Sequence, residues 1–281
     1  MNRTTRKLKG HLMVGLLGLA VVVAVLPLLM ILATLVLKGA SSLNWAFFTQ
    51  IPANTPGDAG GGVSHAIVGT LIIVAMAACI ALPVGIGAGL YVAEYPDTRL
   101  AWIARFLADV LNGAPSIVIG VFAWSFVVAG QKHFSAIAGS AALAMIMIPM
   151  ILRTTEEMIK LVPHALREAA LALGYPRWRT SLTVVLRTIL PGVVTGCLLA
   201  LARAAGETAP LLFTTLGSQF FSLKVNQPMA ALPLVVFTYA TGPYEEWHRL
   251  AWASALVLIL VVFALSVSAR LATRRRDGSD R

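Results

Sequence analysis

Residues 12–37 read LMVGLLGLAVVVAVLPLLMILATLVL, an unbroken run without a charged side chain. As a helix rising about 1.5 Å per residue, it is longer than the ~30 Å of hydrocarbon in a bilayer. Inside lipid every backbone amide must be satisfied within the structure itself, and a spanning helix does this. Arg3, Arg6, Lys7 and Lys9 precede the run, and Lys38 closes it. Basic residues before an apolar run imitate a secretory signal. This run exceeds the ~7–15 residues of a signal's apolar core and no small-x-small cleavage site follows, so an uncleaved first span is expected.

Further runs of the same kind follow. They place spans at 66–90, from between 101 and 110 to about 129, at 134–152, at 190–217 and at 250–271. The stretch 229–240 is too short to cross and contains Pro233, so it reads as an interfacial or re-entrant piece. Of the 281 residues 58% are apolar and 12% charged, against about 45–50% and roughly 25% in soluble domains. A soluble enzyme, a disordered chain and a secreted disulfide scaffold are excluded. Cys79 and Cys197 both lie in apolar runs and read as packing residues. The fold class is an all-α integral membrane protein with six transmembrane helices. Residues 1–11 form a basic arm, 12–272 the membrane domain and 273–281 a basic tail.

The net charge of +10 serves topology rather than nucleic acid, because the basic residues are unevenly placed. With the N-terminus on one side, that side receives seventeen Lys and Arg, among them Arg99, Arg105 and those of 153–187. The other side receives Lys38, Lys132, Lys224 and Arg249. Basic residues stay cytoplasmic, so both termini are expected there. Arg274, Arg275 and Arg276 in the tail read as an anchor beside anionic membrane lipid.

The cytoplasmic segment at about 153–188 departs from a plain bundle. Pro163 suits a first helical turn and Gly174 the position after a helix, which frames a short helix between them. Ala165, Leu166, Ala169, Ala170 and Leu173 share one face of it, with Arg167 and Glu168 at the margin. Trp178, Leu182, Val185, Leu186 and Ile189 recur at helical spacing after Pro176, so a helical hairpin is expected. Its small, apolar faces either pack on the ends of the spans or form a knob for another protein's cleft. Gly60, Gly61 and Gly62 lack the Lys and hydroxyl of a phosphate-cradling loop, and His65, His164 and His248 have no metal-ligand spacing.

Three stretches carry a resemblance. Glu168-Ala169-Ala170, three residues, then Gly174 resembles the EAA loop of ABC importer permeases. In that family an aliphatic residue follows ten positions after the glycine, then one residue and Leu-Pro. Val184 and Leu186 fit, whereas Arg187 stands in the proline's place and Leu190-Pro191-Gly192 follows later. Asn112-Gly113-Ala114-Pro115-Ser116-Ile117-Val118-Ile119-Gly120 is similar to the Pro-Ser-Ile-Val-x-Gly stretch of phosphate permeases. Ala204-Ala205-Gly206-Glu207-Thr208-Ala209-Pro210 resembles a stretch found in one of their two membrane subunits. The resemblance implies one half of a translocation pathway, with a coupling loop at Glu168, Ala169, Ala170 and Gly174. It also implies a second permease subunit, an ATPase dimer that uses ATP and magnesium, and an external phosphate-binding protein. The chain has no Gly-x4-Gly-Lys-Ser/Thr signal of its own, so no cofactor, metal or catalytic residue is assigned to it.

Arg203 and Glu207 fall inside the fifth apolar run, four residues apart. An arginine at mid-bilayer costs about 2.5–3.5 kcal/mol on insertion scales, so it needs a partner or a watery cavity. A guanidinium offers five fixed donors, which suits the oxygens of phosphate. Glu207 either forms a helix-gluing pair with it or keeps a passing anion from being held too tightly. Thr208, Asn112 and Ser116 complete the expected pathway set, with Pro115 interrupting the third span or marking its true start and exposing helix N-terminal donors. The rival reading is a carrier driven by an ion gradient with Glu207 as proton carrier. It predicts matching broken halves, and no repeat is visible in the sequence.

Overall fold

Runs this apolar bury their amides by coiling, and the computed structural model, which describes residues 3–53 and 60–277, is helical almost throughout. The helices are α1 (Arg3–Ala40), α2 (Trp45–Thr49), α3 (Ser64–Glu94), α4 (Arg99–Gly113), α5 (Ser116–Gln131) and α6 (Ala136–Lys160). There follow α7 (His164–Ala172), α8 (Arg177–Ala205), α9 (Ala209–Thr214), α10 (Leu232–Ala240) and α11 (Glu245–Asp277). Five of them are long and apolar enough to cross a membrane among the described residues, and the bent pair α4–α5 makes a sixth when counted as one span. The backbone of the basic arm continues α1 without a break, so the arm is the first turns of that helix. The side chains of Arg3, Arg6 and 274–276 lie outside the described residues, as do residues 278–281.

The core is built on α3 and α6. Glycines on α3 let the two backbones close in: a Cβ at Gly85 would stand 2.7 Å from the Cβ of Ile151, and one at Gly89 2.7 Å from the carbonyl of Leu152. Small residues allow this close approach in lipid, where packing rather than the hydrophobic effect holds helices together. Ile73, Ala77 and Ala81 meet Leu143, Met147 and Ile151 in the resulting cluster. Helix α8 packs on the other side of α6, with Gly192 against Met158 and Gly196 against Thr154. Helix α11 closes on α8 and α10, and α1 touches the bundle through its last turn, where Gly39 abuts Trp252 and Leu256. The rest of α1, from Leu12 to Leu32, is exposed.

Two expected spans are not single helices. The third is broken at Ala114–Pro115, where α4 and α5 meet at 112°. The proline forces the residue before it out of the helical region, and Ala114 is extended at ψ 136°. Pro115 therefore marks the start of α5, and α4 is an amphipathic helix with Trp102, Ile103, Phe106 and Leu107 exposed. The fifth, expected at 190–217, begins already at Arg177 and stops at Ala205. Pro210 supplies no amide and its ring would strike the carbonyl four residues back, at Gly206, itself a poor helix former. The stretch at 229–240 yields α10, nine residues long, or about 14 Å against ~30 Å of hydrocarbon.

Candidate functional site

The break in the fifth span lies at mid-depth. Helix α8 runs antiparallel to α6, and the register set by Gly192 with Met158 and Gly196 with Thr154 brings Arg203 level with Met150. Met150 is close to the centre of α6 (Ala136–Lys160). Arg203 occupies the last turn of α8, and Gly206 caps it. Glu207 lies just beyond the helix end. The two pair there: Arg203 Nε stands 3.6 Å from Glu207 Oε1. A guanidinium N–H of Arg203 also points at Met150 Sδ, 3.6 Å away. Both contacts are long, and the Arg203 side chain keeps 52% of its surface open against 17% for Glu207. The arrangement is an arginine with donors to spare and a carboxylate close enough to compete for them.

Helix α5 joins this break. A Cβ at Gly120 would sit 2.7 Å from the Cα of Pro210, so α5 and α9 lie backbone to backbone. They run the same way: the carbonyl of Thr214 accepts from the amide of Ser135, whose hydroxyl donates to Gln131 at the end of α5. Ser116 is four residues before Gly120 and Gly206 four before Pro210, so the N-terminus of α5 begins at the level of the α8–α9 break. There the first amides of α5 have no intrahelical partner, and Ser116 adds a half-buried hydroxyl. Thr208 precedes α9 without capping it through its side chain. Thus Arg203, Glu207, Thr208 and Ser116 come to one level. Asn112 lies across the bend, exposed in the last turn of α4.

The coupling segment is shorter than 153–188, because α6 continues to Lys160 and α8 starts at Arg177. The second arm of the hairpin is there with a difference, running on as the base of α8. Helix α7 ends in a Schellman turn: Gly174 at φ +82° donates to Leu171 (2.9 Å) and Tyr175 to Ala170 (3.3 Å). Arg167 Nη1 reaches Glu94 Oε1 at the end of α3 at 2.6 Å, pinning α7 to the bundle. Ala170 is buried, whereas Ala165, Leu166, Glu168, Ala169 and Leu173 remain uncovered, Leu173 at 79% exposure. Of the five residues of that face, only Ala170 is covered by this chain.

Sequence reasoning passed over a charge cluster at the same end. Glu156 is buried at 1% and accepts from Arg105 Nε (2.9 Å) and Arg153 Nη1 (2.9 Å), with Lys160 Nζ at 3.2 Å. Arg153 also holds Asp109 on α4, and Arg105 donates to the carbonyls of Val92 and Pro96 at the end of α3. One buried carboxylate thereby ties α3, α4 and α6 together. The signal was available: Arg153, Glu156 and Lys160 recur at helical spacing, as do Arg105 and Asp109 on α4.

A polytopic bundle with a charged break at mid-depth and an uncovered helix held outside it has the build of a membrane transport subunit. Residues 85–278 match the family described as binding-protein-dependent transport system inner membrane component. The chain is 47% identical to the phosphate transport system permease protein PstA of Yersinia pestis over 87% of its own length and 83% of that protein's. It is 45% identical to PstA of Haemophilus influenzae over 95% and 94%, and 37% identical to PstA 1 of Mycobacterium tuberculosis (strain H37Rv) over 96% and 91%. In fold it resembles a bacterial ABC transporter involved in the import of the acidic polysaccharide alginate, at TM-score 0.70 and 13% identity over 98% of this chain and 99% of that one. It also resembles the MetNI methionine ABC transporter, at TM-score 0.62 and 19% identity over 75% and 94%. The chain belongs to the binding-protein-dependent inner-membrane permeases, and within them to the PstA family.

Proposed function

We propose that this chain is the permease subunit of an ATP-driven importer of inorganic phosphate and lines one wall of its pathway. The observation that carries the reading is the half-open Arg203, held loosely by Glu207 at the mid-depth break of the fifth span. A fork of guanidinium donors matches a phosphate's oxygens, and the neighbouring carboxylate offers an exchange partner that lets the anion leave. Ser116 and Thr208 contribute hydroxyls around the same break, with Asn112 across the bend between α4 and α5. The identity to PstA proteins supports phosphate as the cargo.

Driving force comes from outside the chain. The uncovered side of α7 at Glu168, Ala169 and Gly174, backed by the buried Ala170, is the surface on which an ATPase dimer, with its ATP and magnesium, docks. A second permease subunit closes the pathway over Arg203, and an external binding protein delivers phosphate. ATP binding pulls α7 with the bundle end to which Arg167 pins it, and opens the pathway outward; hydrolysis resets it. Both termini and α7 are on the cytoplasmic side of the inner membrane, following the basic residues. Gentle detergent purification with mass-spectrometric identification of what accompanies the chain tests this. An ATPase and a second six-helix subunit are expected. A chain that reproducibly emerges alone or as a homo-oligomer contradicts the reading and returns weight to a gradient-driven carrier.

A further inference from the structure

A cavity of about 320 Å³ lies outward of the Arg203 break, one length of α9 further toward the end of the bundle opposite α7. Its lining includes His65, Ser218, Gln219, Thr238 and Tyr239, together with Leu216. His65 and Tyr239 are each 4% exposed and form its floor, whereas Gln219 and Thr238 are exposed at its mouth. The polar side chains are neutral, and each carries an N–H or O–H to donate. No carboxylate lines the cavity.

Three independent features mark it as built for a ligand with acceptor atoms. First, the Nδ1 of His65 is buried and has no hydrogen-bond partner among the described residues. A buried polar atom left unmatched costs about 1–3 kcal/mol, and native proteins rarely tolerate one without a use. Second, His65 is the second residue of α3, a helix of 31 residues whose N-cap, Val63, supplies no side-chain acceptor. The amides of Ser64, Ala66 and Ile67 are already taken by the carbonyls of Gln50 and Val63, so what the helix contributes here is the positive end of its dipole, which favours an anion. Third, the loop closing the mouth is held in an unusual backbone: Leu216 stands at φ +61° and Gly217 at φ +78°. A left-handed leucine persists only where its surroundings enforce it, and such positions concentrate at functional sites.

We propose that this cavity is an outer oxyanion site, in which neutral donors and the α3 N-terminus receive a small tetrahedral oxyanion before it meets Arg203. The inference rests on the phosphate-importer reading and adds a separate station to it. A site without a formal cation holds its anion weakly and passes it inward to the arginine, which lies deeper and carries full charge. An external protein that releases phosphate at the outer surface meets this mouth first.

The test is equilibrium binding of radiolabelled inorganic phosphate to the purified transporter in the absence of its external binding protein. Gln219→Lys adds a charge at the mouth and is expected to tighten binding about fivefold, and Gln219→Glu to weaken it by about as much. Opposite shifts from one position cannot arise from general damage to the fold. Tyr239→Phe removes one hydroxyl and is expected to weaken binding severalfold at unchanged thermal stability. Arg203→Ala is expected to leave this outer binding in place while reducing transport by about tenfold to a hundredfold. Equal binding by wild type and all three outer variants overturns the site, as does a wild type that binds no phosphate. Binding lost in Arg203→Ala and unaffected by the outer variants overturns it as well, and leaves the importer reading standing. Failure of the wild-type transporter to carry phosphate at all sinks the importer reading instead.

Discussion

Arg203 keeps a formal charge at a depth where charge is expensive, and its one carboxylate neighbour is 3.6 Å away rather than in bidentate contact. Glu207 is therefore better placed as a competitor than as a clamp. Glu207→Gln removes the competitor, and phosphate should bind more tightly and leave more slowly. The expected result is a lower half-saturating phosphate concentration with a lower maximal uptake rate, read from initial rates in proteoliposomes. Glu156 has the contrasting role: buried at 1%, it is fully engaged by Arg105, Arg153 and Lys160. Breaking a buried pair costs about 3–5 kcal/mol. The arginines here retain about a quarter to a third of their exposure, so Glu156→Ala should cost about 2 kcal/mol, seen as a lower unfolding temperature in detergent. Of these two residues the sequence reading singled out the first. An arginine inside an apolar run stands out, whereas Glu156 lies among charges that looked like loop residues until α6 was seen to continue through them.

At the scale of elements, glycine decides two contacts for different reasons. Gly174 ends α7 at φ +82° with nothing within 4 Å of where a Cβ would go. Substitution there meets backbone strain and no clash. Gly174→Val should cost about 1–2 kcal/mol in the left-handed region, fray the end of α7 and lower ATP-driven uptake, while Gly174→Asn should retain most of it. The bundle's unfolding temperature should change in neither. Gly89 is the reverse case, because a Cβ would stand 2.6 Å from Thr155 and 2.7 Å from the Leu152 carbonyl. Gly89→Leu forces α3 away from α6, and its expected signature is poor membrane accumulation and loss of thermal stability. Long apolar runs announced α1, α3, α6 and α11, and Pro163 and Gly174 framed α7. The breaks at Pro115 and Gly206–Pro210 were harder to read, because apolar composition continues through them and only local backbone chemistry stops the helix.

For the whole molecule, the arrangement separates tasks along one axis. Helix α7 stands at one end, tied to α3 by Arg167 and Glu94 and followed by the charge cluster around Glu156. The broken fifth span and the start of α5 occupy the middle, and α10 closes the opposite end with α11. A displacement applied to α7 acts on the ends of α3 and α6 as a unit, because buried charges and close-packed glycines join them. That the chain is a multi-pass helical bundle was legible from sequence. What it did not convey is that the end of α8 at Arg203 and the start of α5 at Ser116, eighty-seven positions apart, lie at the same level, since that depends on the contact between Gly120 and Pro210. The most direct test of an anion pathway at this level is ATP-driven uptake of radiolabelled phosphate by the complete transporter carrying Arg203→Ala. Charge-assisted hydrogen bonds contribute about 1.5–3 kcal/mol, so the account predicts uptake reduced by about tenfold to a hundredfold, with subunit assembly and membrane insertion unchanged. Near-normal uptake by that variant would contradict it.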